Sequence, residues 1–273
     1  MSMAARRIIY RNRGGKLMHR ALILLFSVNF IFAALPVAAA NNVTPIPILV
    51  ELFTSEGCSD CPPADAFLQK LDEQPVPGTE MVVLSEHVDY WNHDGWKDPY
   101  SSSFYTERQT VYAHIFDLPS AYTPQMVVDG TAQFVGSDLK AASKAFANAA
   151  TAPKVEIRLS AISIEGTNTL RAHIETAALP EGQKGDVYAA IALNHAENQV
   201  SRGENAGRKI SHSAVARSLT RIGSVEKNQP FARDLQLKLP ADYRPSDLRL
   251  IAFIQKPHQG KVLGAAMQPL PAQ

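Results

Sequence analysis

Cysteine is scarce in this sequence. Its 273 residues include only Cys58 and Cys61, with two residues between them. That excludes a small disulfide-stapled scaffold and a four-cysteine zinc site. No Gly-x-Gly-x-x-Gly, no Walker loop, no Gly-x-Ser-x-Gly and no His-Glu-x-x-His occurs. The usual phosphate cradles, the serine-hydrolase elbow and the zinc-peptidase helix are therefore missing, and no cofactor is implied. Beyond residue 40 the basic residues are scattered and do not cluster with aromatics, so nucleic acid is not an expected partner. The longest apolar run, "ALILLFSVNFIFAAL", covers residues 21–35. It falls short of the roughly 20 residues that a membrane span needs.

What is present at the N-terminus is a leader pattern. Arg6, Arg7, Arg11, Arg13, Lys16 and Arg20 precede the apolar run, and Ala38 and Ala40 supply small residues after it. Basic, then apolar, then small-x-small is the order of a secretory signal peptide. Residues 1–40 are read as one, with Met18 as an alternative start and cleavage near Ala40. The mature chain is then expected in the periplasm or outside the cell, with no stable membrane span after cleavage. Removing the leader takes away 6 of 27 basic residues and none of the 26 acidic ones, leaving 21 against 26, a net charge of −5. In an oxidising compartment two neighbouring thiols tend to close into a disulfide. A working dithiol there needs a redox partner to reset it.

The mature chain changes character half-way. "IPILVELFT" (46–54) and "MVVLSEHV" (81–88) read as buried strands. Between them Ala64, Phe67, Leu68 and Leu71 recur at helical spacing. "YTERQTVYAHIF" (105–116) reads as helix, and 124–136 as a hairpin turning on Asp129-Gly130. Residues 137–150 read as an alanine-rich helix with Ser137 as N-cap. After Pro153 only strand-like runs follow, bounded by Gly, Pro, Asn or Asp. The expected architecture is an α/β domain over 41–152 and an all-β sandwich-like domain over 153–273.

Strand, Cys-x-x-Cys, helix is the thioredoxin arrangement, and the first domain is expected to be thioredoxin-like. A helix N-terminus directs free N–H groups and the positive end of its dipole at the first sulfur, which favours thiolate. Cys58 would be the nucleophile and Cys61 would resolve the mixed disulfide. Pro124, after Thr123 and before a strand, is expected to be cis and to face the dithiol. Glu51, seven residues before Cys58, is a candidate proton acceptor for Cys61 if it points beneath the dithiol. Glu56 and Asp60 disfavour the thiolate, so a weakly acidic nucleophile is expected. Pro62 is expected to open the regular helix, leaving Cys58 ahead of it. The partners of such a site are protein thiols or disulfides of the periplasm. Two other readings stay open. One is copper or zinc binding by the cysteines with a histidine, drawing on His87, Asp89, His93 and Asp94. The other is a non-catalytic binding module. A purely structural four-residue disulfide ring would stabilise little.

Four blocks, "VELFTSEGCSDCPPAD", "HVDYWNHDGWKDPYSSSFYTERQTVYA", "YTPQMVVDG" and "VSRGENAGRKISHSAVARSL", resemble a bacterial secreted family known as domain of unknown function 1223. The resemblance spans the mature chain and implies a thioredoxin-like domain joined to a β-rich one, with no established reaction. The fourth block departs modestly, with Ala214 and Ala216 flanking Val215. The resemblance directs attention to two segments. Tyr90, Trp91, Trp96, Tyr100 and Phe104 would either bind a partner's apolar segment or cover the sheet, and covering is the expectation. Arg202 to Arg208, with His212, would line an interface or reach the cleft, and a solvated turn is the expectation.

Overall fold

The computed structural model describes residues 44–226 and 229–272, so the signal-peptide reading of residues 1–40 lies outside the described residues. The first half runs β1 (Ile46–Thr54), α1 (Pro62–Glu73), β2 (Thr79–His87), α2 (Ser103–Ile115), β3 (Gln125–Val128), β4 (Ala132–Val135), α3 (Leu139–Ala150). The second runs β5 (Ile157–Glu165), β6 (Thr169–Thr176), β7 (Gly185–Gln199), β8 (Lys209–Val225), β9 (Phe231–Lys238), β10 (Leu248–Gln255), β11 (Val262–Pro269). The order expected over 46–150 is the order observed. Beyond α3 the described residues hold strands and one 3-10 turn at Pro245–Asp247.

Eight strands form one mixed sheet in the order β11-β10-β7-β8-β2-β1-β3-β4. β1 and β2 are parallel in unbroken register from Ile46↔Thr79 to Thr54↔His87. β3 runs antiparallel to β1 and pairs with β4 across the Asp129-Gly130 turn, where φ is +50° and +62°. The change of character expected near Pro153 falls in the connection from α3 to β5. The large sheet crosses it, because β8 lies parallel to β2 through the bridge Ser85↔Val215. All eleven strands belong to one compact unit.

Alternation along β7 and β10 explains how one sheet serves two cores. Ala190, Ala192, Ile251 and Phe253 join the core under the helices, with Ala64, Leu68 and Leu71 of α1 and Ala142, Ala145, Phe146 and Ala149 of α3. Val187, Ala189, Ile191, Leu250, Ala252 and Ile254 face the other way. There they meet Leu170, Ala172 and Ile174 of β6 and Leu235 of β9, so the sheet β5-β6-β9 packs over the large one. Each fully buried aliphatic side chain is worth about 1.5–3 kcal/mol.

Helix starts were legible to within a residue or two. Pro62 opens α1, while Cys61 before it is helical in spite of the usual restriction on residues preceding proline. α2 begins earlier than 105, because Ser102 caps it by accepting from Phe104 N. Asp138, not Ser137, caps α3: its carboxylate accepts from Lys140 N and Ala141 N, both at 3.0 Å. No helix among the described residues is long and apolar enough to cross a membrane.

Candidate functional site

β1 is a central strand, and the chain leaving it turns at Ser55–Cys61 before α1. Ser55 holds the turn: its carbonyl accepts from Cys58 N at 3.2 Å and its Oγ from Gly57 N at 3.1 Å. Cys58 and Cys61 are joined as a disulfide, and their residues are only 1% and 0% exposed. The carbonyl of Cys61 accepts from Ala64 N and Asp65 N, which ties the second sulfur's residue to the first turn of α1.

The expected cleft residues gather around this turn. A Cβ on Gly57 would stand 2.9 Å from Trp91 Cβ, so only glycine fits there. Trp91 Nε1 donates to Thr123 Oγ1 at 2.8 Å, and the Thr123–Pro124 bond is cis as expected. Pro124 in turn lies against Gly136, beside Ala64 of α1 and Leu52 of β1. The contacts thus close a ring from Gly57 through Trp91, Thr123 and Pro124 back to α1. Tyr90 donates to Gln109 Oε1 and packs with Trp91 on a small apolar cluster of Phe53, Val88, Tyr112 and Val127. The aromatic insertion therefore covers the sheet at Tyr90, Trp91 and the buried Tyr100, while Phe104 is 45% exposed.

The Arg202–Arg208 segment is a turn exposed at every residue except Asn205, as expected, and Asn205 anchors it. Asn205 is fully buried, and its Nδ2 donates to Glu56 O at 2.9 Å and Cys58 O at 2.8 Å. Glu204 accepts from Ser59 N at 3.3 Å, and Arg208 Nη1 donates to Asn205 Oδ1. A carboxamide has two donors and one acceptor in a plane, and this one uses both functions. The loop between β7 and β8 is fastened to the backbone of the dithiol turn from the other half of the chain.

Glu51 is fully buried but sits in a different network. Its carboxylate accepts from Arg108 Nε at 2.8 Å and from Tyr112 Oη at 2.6 Å. Gln255 joins from β10, donating to Tyr112 Oη at 2.8 Å and accepting from Arg108 Nη2 at 3.1 Å. Among the described residues no hydrogen bond or ion pair joins Glu51 to the dithiol. Burial pushes Glu86, also beside Arg108, well above the usual carboxylate range.

A second buried cluster joins Glu56, His87 and His212, each named from the sequence, to Asp98 and Asp65, which sequence reasoning missed. His87 Nδ1 pairs with Asp98 Oδ2 at 2.7 Å, and the same oxygen accepts from Glu56 N at 2.8 Å. Burial pushes Asp98 up, but His87 and the N–H groups of Glu56 and Tyr100 outweigh it and hold the carboxyl down to about 2. His212 lies between Glu56 and Asp65 at 3.5 and 3.3 Å. Burial disfavours its charged form, yet Asp65 and Glu56 win and raise it to about 10. Asp65 was not singled out from the sequence; its place four residues after Cys61 is the one spacing that could have pointed to it.

The candidates for a metal do not converge. His93 is exposed at the surface beside Asp94, Asp89 accepts from Thr106, and the cysteines are bonded to each other. Among the described residues no three His, Cys, Asp or Glu side chains are arranged to hold a metal ion.

The family described as "Protein of unknown function (DUF1223)" matches residues 49–255, three quarters of the chain. The chain belongs to that family. Among solved structures, the DUF1223 chain is similar to the crystal structure of a protein from Agrobacterium tumefaciens. The two are 26% identical with a TM-score of 0.63, covering 82% of this chain and 94% of that one. It is also similar to HBP35 of Porphyromonas gingivalis, at 15% identity and a TM-score of 0.62, covering 83% and 76%. At that identity the likeness shows the fold alone. No curated protein matches.

Proposed function

We propose that this DUF1223 protein is an exported, thioredoxin-like thiol–disulfide oxidoreductase that exchanges electrons with protein thiols through Cys58 and Cys61. The observation that carries the reading is the seat of the disulfide. It lies between the end of a central strand and the first turn of α1, in a turn whose Gly57 packs against Trp91, which in turn bonds Thr123 before the cis Pro124. Cys58 precedes the helix and is the sulfur that a partner thiolate meets. Cys61, held in the first turn, leaves as thiolate and later closes back on Cys58. The pattern of residues 1–40 supports a periplasmic or secreted setting, where a partner resets the dithiol.

Burial of both sulfurs adds a condition. A partner thiolate reaches Cys58 only when the Asn205 loop lifts from the backbone of Glu56 and Cys58. The deciding experiment is the reduction potential of the pair in glutathione buffers. A value between roughly −120 and −270 mV is expected. A value below about −300 mV, typical of disulfides that stay closed, overturns the exchange reading.

A further inference from the structure

Around the dithiol the chain buries more charge than it satisfies. Glu56, two residues before Cys58, is fully buried, and its carboxylate accepts from Trp96 Nε1 at 2.8 Å and Asn198 Nδ2 at 2.7 Å. Asp65 lies four residues after Cys61, on the same face of α1. It is 3% exposed, and neither carboxylate oxygen has a hydrogen bond among the described residues. His212, 1% exposed, reaches α1 from β8 and bridges the two acids, with Nε2 3.5 Å from Glu56 and Nδ1 3.3 Å from Asp65. The other titratable groups around the imidazole are His87 of β2, at 4.5 Å between ring centroids, Tyr100 at 6.2 Å, and Asp98 behind His87. Burying ions this deeply opposes stability, and an apolar filling of similar volume is often as stable or more so. These ions flank a couple that must gain or lose protons whenever it cycles.

We propose that Asp65 and His212 are the proton relay of the Cys58–Cys61 couple, with His212 storing the proton and Asp65 passing it to and from Cys61. The inference rests on the exchange reading above. A thiolate of a partner dithiol attacks Cys58 Sγ, the new interchain S–S bond forms, the Cys58–Cys61 bond breaks, and Cys61 departs as thiolate. The imidazolium proton of His212 passes through Asp65 to Cys61 Sγ. The partner's second thiolate then closes the partner's own disulfide and releases Cys58. Two electrons have moved from the partner dithiol, which is oxidised, to this disulfide, which is reduced. In the opposite direction Cys61 returns its proton through Asp65 to His212. Glu56 stays anionic under its two donors and anchors the imidazolium. His212 is a positioning residue, since it acts through Asp65. The flanking carboxylates keep it charged up to about pH 10 even though burial opposes the charge. The relay is therefore loaded throughout the neutral range.

The test is the rate at which dithiothreitol opens the disulfide in the mature full chain, from about pH 6 to about pH 10.5, divided by the fraction of reductant present as thiolate. The wild-type rate is expected to stay level and to fall as His212 titrates near pH 10. Asp65→Asn, which keeps the side-chain shape, is expected to be at least about tenfold slower at pH 7 and to lose the alkaline fall. His212→Gln is expected to do the same, and Asp65→Asn alone decides if that variant does not fold. An Asp65→Asn profile with wild-type magnitude and the same fall overturns the relay and leaves the exchange reading standing. A wild-type disulfide that does not equilibrate with glutathione overturns the exchange reading first, and the relay with it.

Discussion

Two charged clusters lie buried within one sheet, and they are built on opposite terms. Around Glu51 the central carboxylate is saturated, although neither oxygen of the neighbouring Glu86 has a hydrogen bond among the described residues. Arg108 and Tyr112 saturate the carboxylate, Gln255 bridges them from β10, and Arg108 also lies over the rings of Tyr112, Tyr188 and Phe253. Around His212 the ion pairs are longer, and Asp65, His87 Nε2 and both nitrogens of His212 lack hydrogen bonds among the described residues. A saturated network fixes geometry and holds its protons. An unsaturated one has room to move a proton, and it is the unsaturated cluster that flanks Cys58 and Cys61. The first joins α2 to β1 and β10 across the two halves of the chain. The second joins the dithiol turn to β8.

The comparison breaks hardest at Arg108. Arg108→Met removes the cation that faces Glu51 and Glu86, leaving the buried Glu51 carboxylate uncompensated. The expected loss is about 3–5 kcal/mol of folding stability, read by urea denaturation. A loss under about 1 kcal/mol would show that the Glu51 cluster is not a structural lock. A smaller effect is expected at Asp98, the best-satisfied acid of the second cluster. Its folded carboxyl is held down to about 2, against about 3.9 in an unfolded chain. The stabilisation is therefore present above about pH 4 and disappears as pH falls through about 2, a contribution of about 2.5 kcal/mol. Asp98→Asn should be less stable than wild type at pH 6, with the gap closing towards pH 2. A gap that does not change with pH would remove the His87–Asp98 pair as an acid-sensitive contact. The smallest expected change in stability is at the Asn205 loop. Asn205→Ala deletes the donor to Glu56 O and Cys58 O at a cost of about 1–2 kcal/mol. It should also speed opening of the disulfide by dithiothreitol several-fold. An unchanged rate would show that the Asn205 loop does not limit access to the sulfurs.

Local rules carried well in the first half of the chain. The β-branched run at 46–54, the Pro62 helix start and the Asp129-Gly130 turn are short-range signals, and each appears where its chemistry places it. Ser137 misled as a cap because Asp138 next to it offers a carboxylate, which two backbone N–H groups share. The Arg202–Arg208 segment is the exposed turn its composition suggests, with Asn205 alone buried. Its glycines and asparagines have turn composition, but composition does not say that Asn205 lands on the carbonyl of Cys58, 147 positions away. Glu51 was legible as unusual, an acid inside an apolar strand. Its partners come from α2 and β10, which no spacing rule connects to it.

The sequence by itself determined the elements and the place of the chemistry, one pair of cysteines between a strand and a helix. Periodicity, caps and turn residues act over a few positions, so they can be read in order along the chain. Only the tertiary structure decided which strands share a sheet, what fastens the dithiol turn and which acids stand beside it. β8 docks on β2 through the bridge Ser85↔Val215, which brings His212 to Asp65 and Asn205 to Cys58. Contacts of that range depend on burial and sheet pairing across the whole fold, and it is the two carboxylates brought against His212, in opposition to burial, that make it hold its proton.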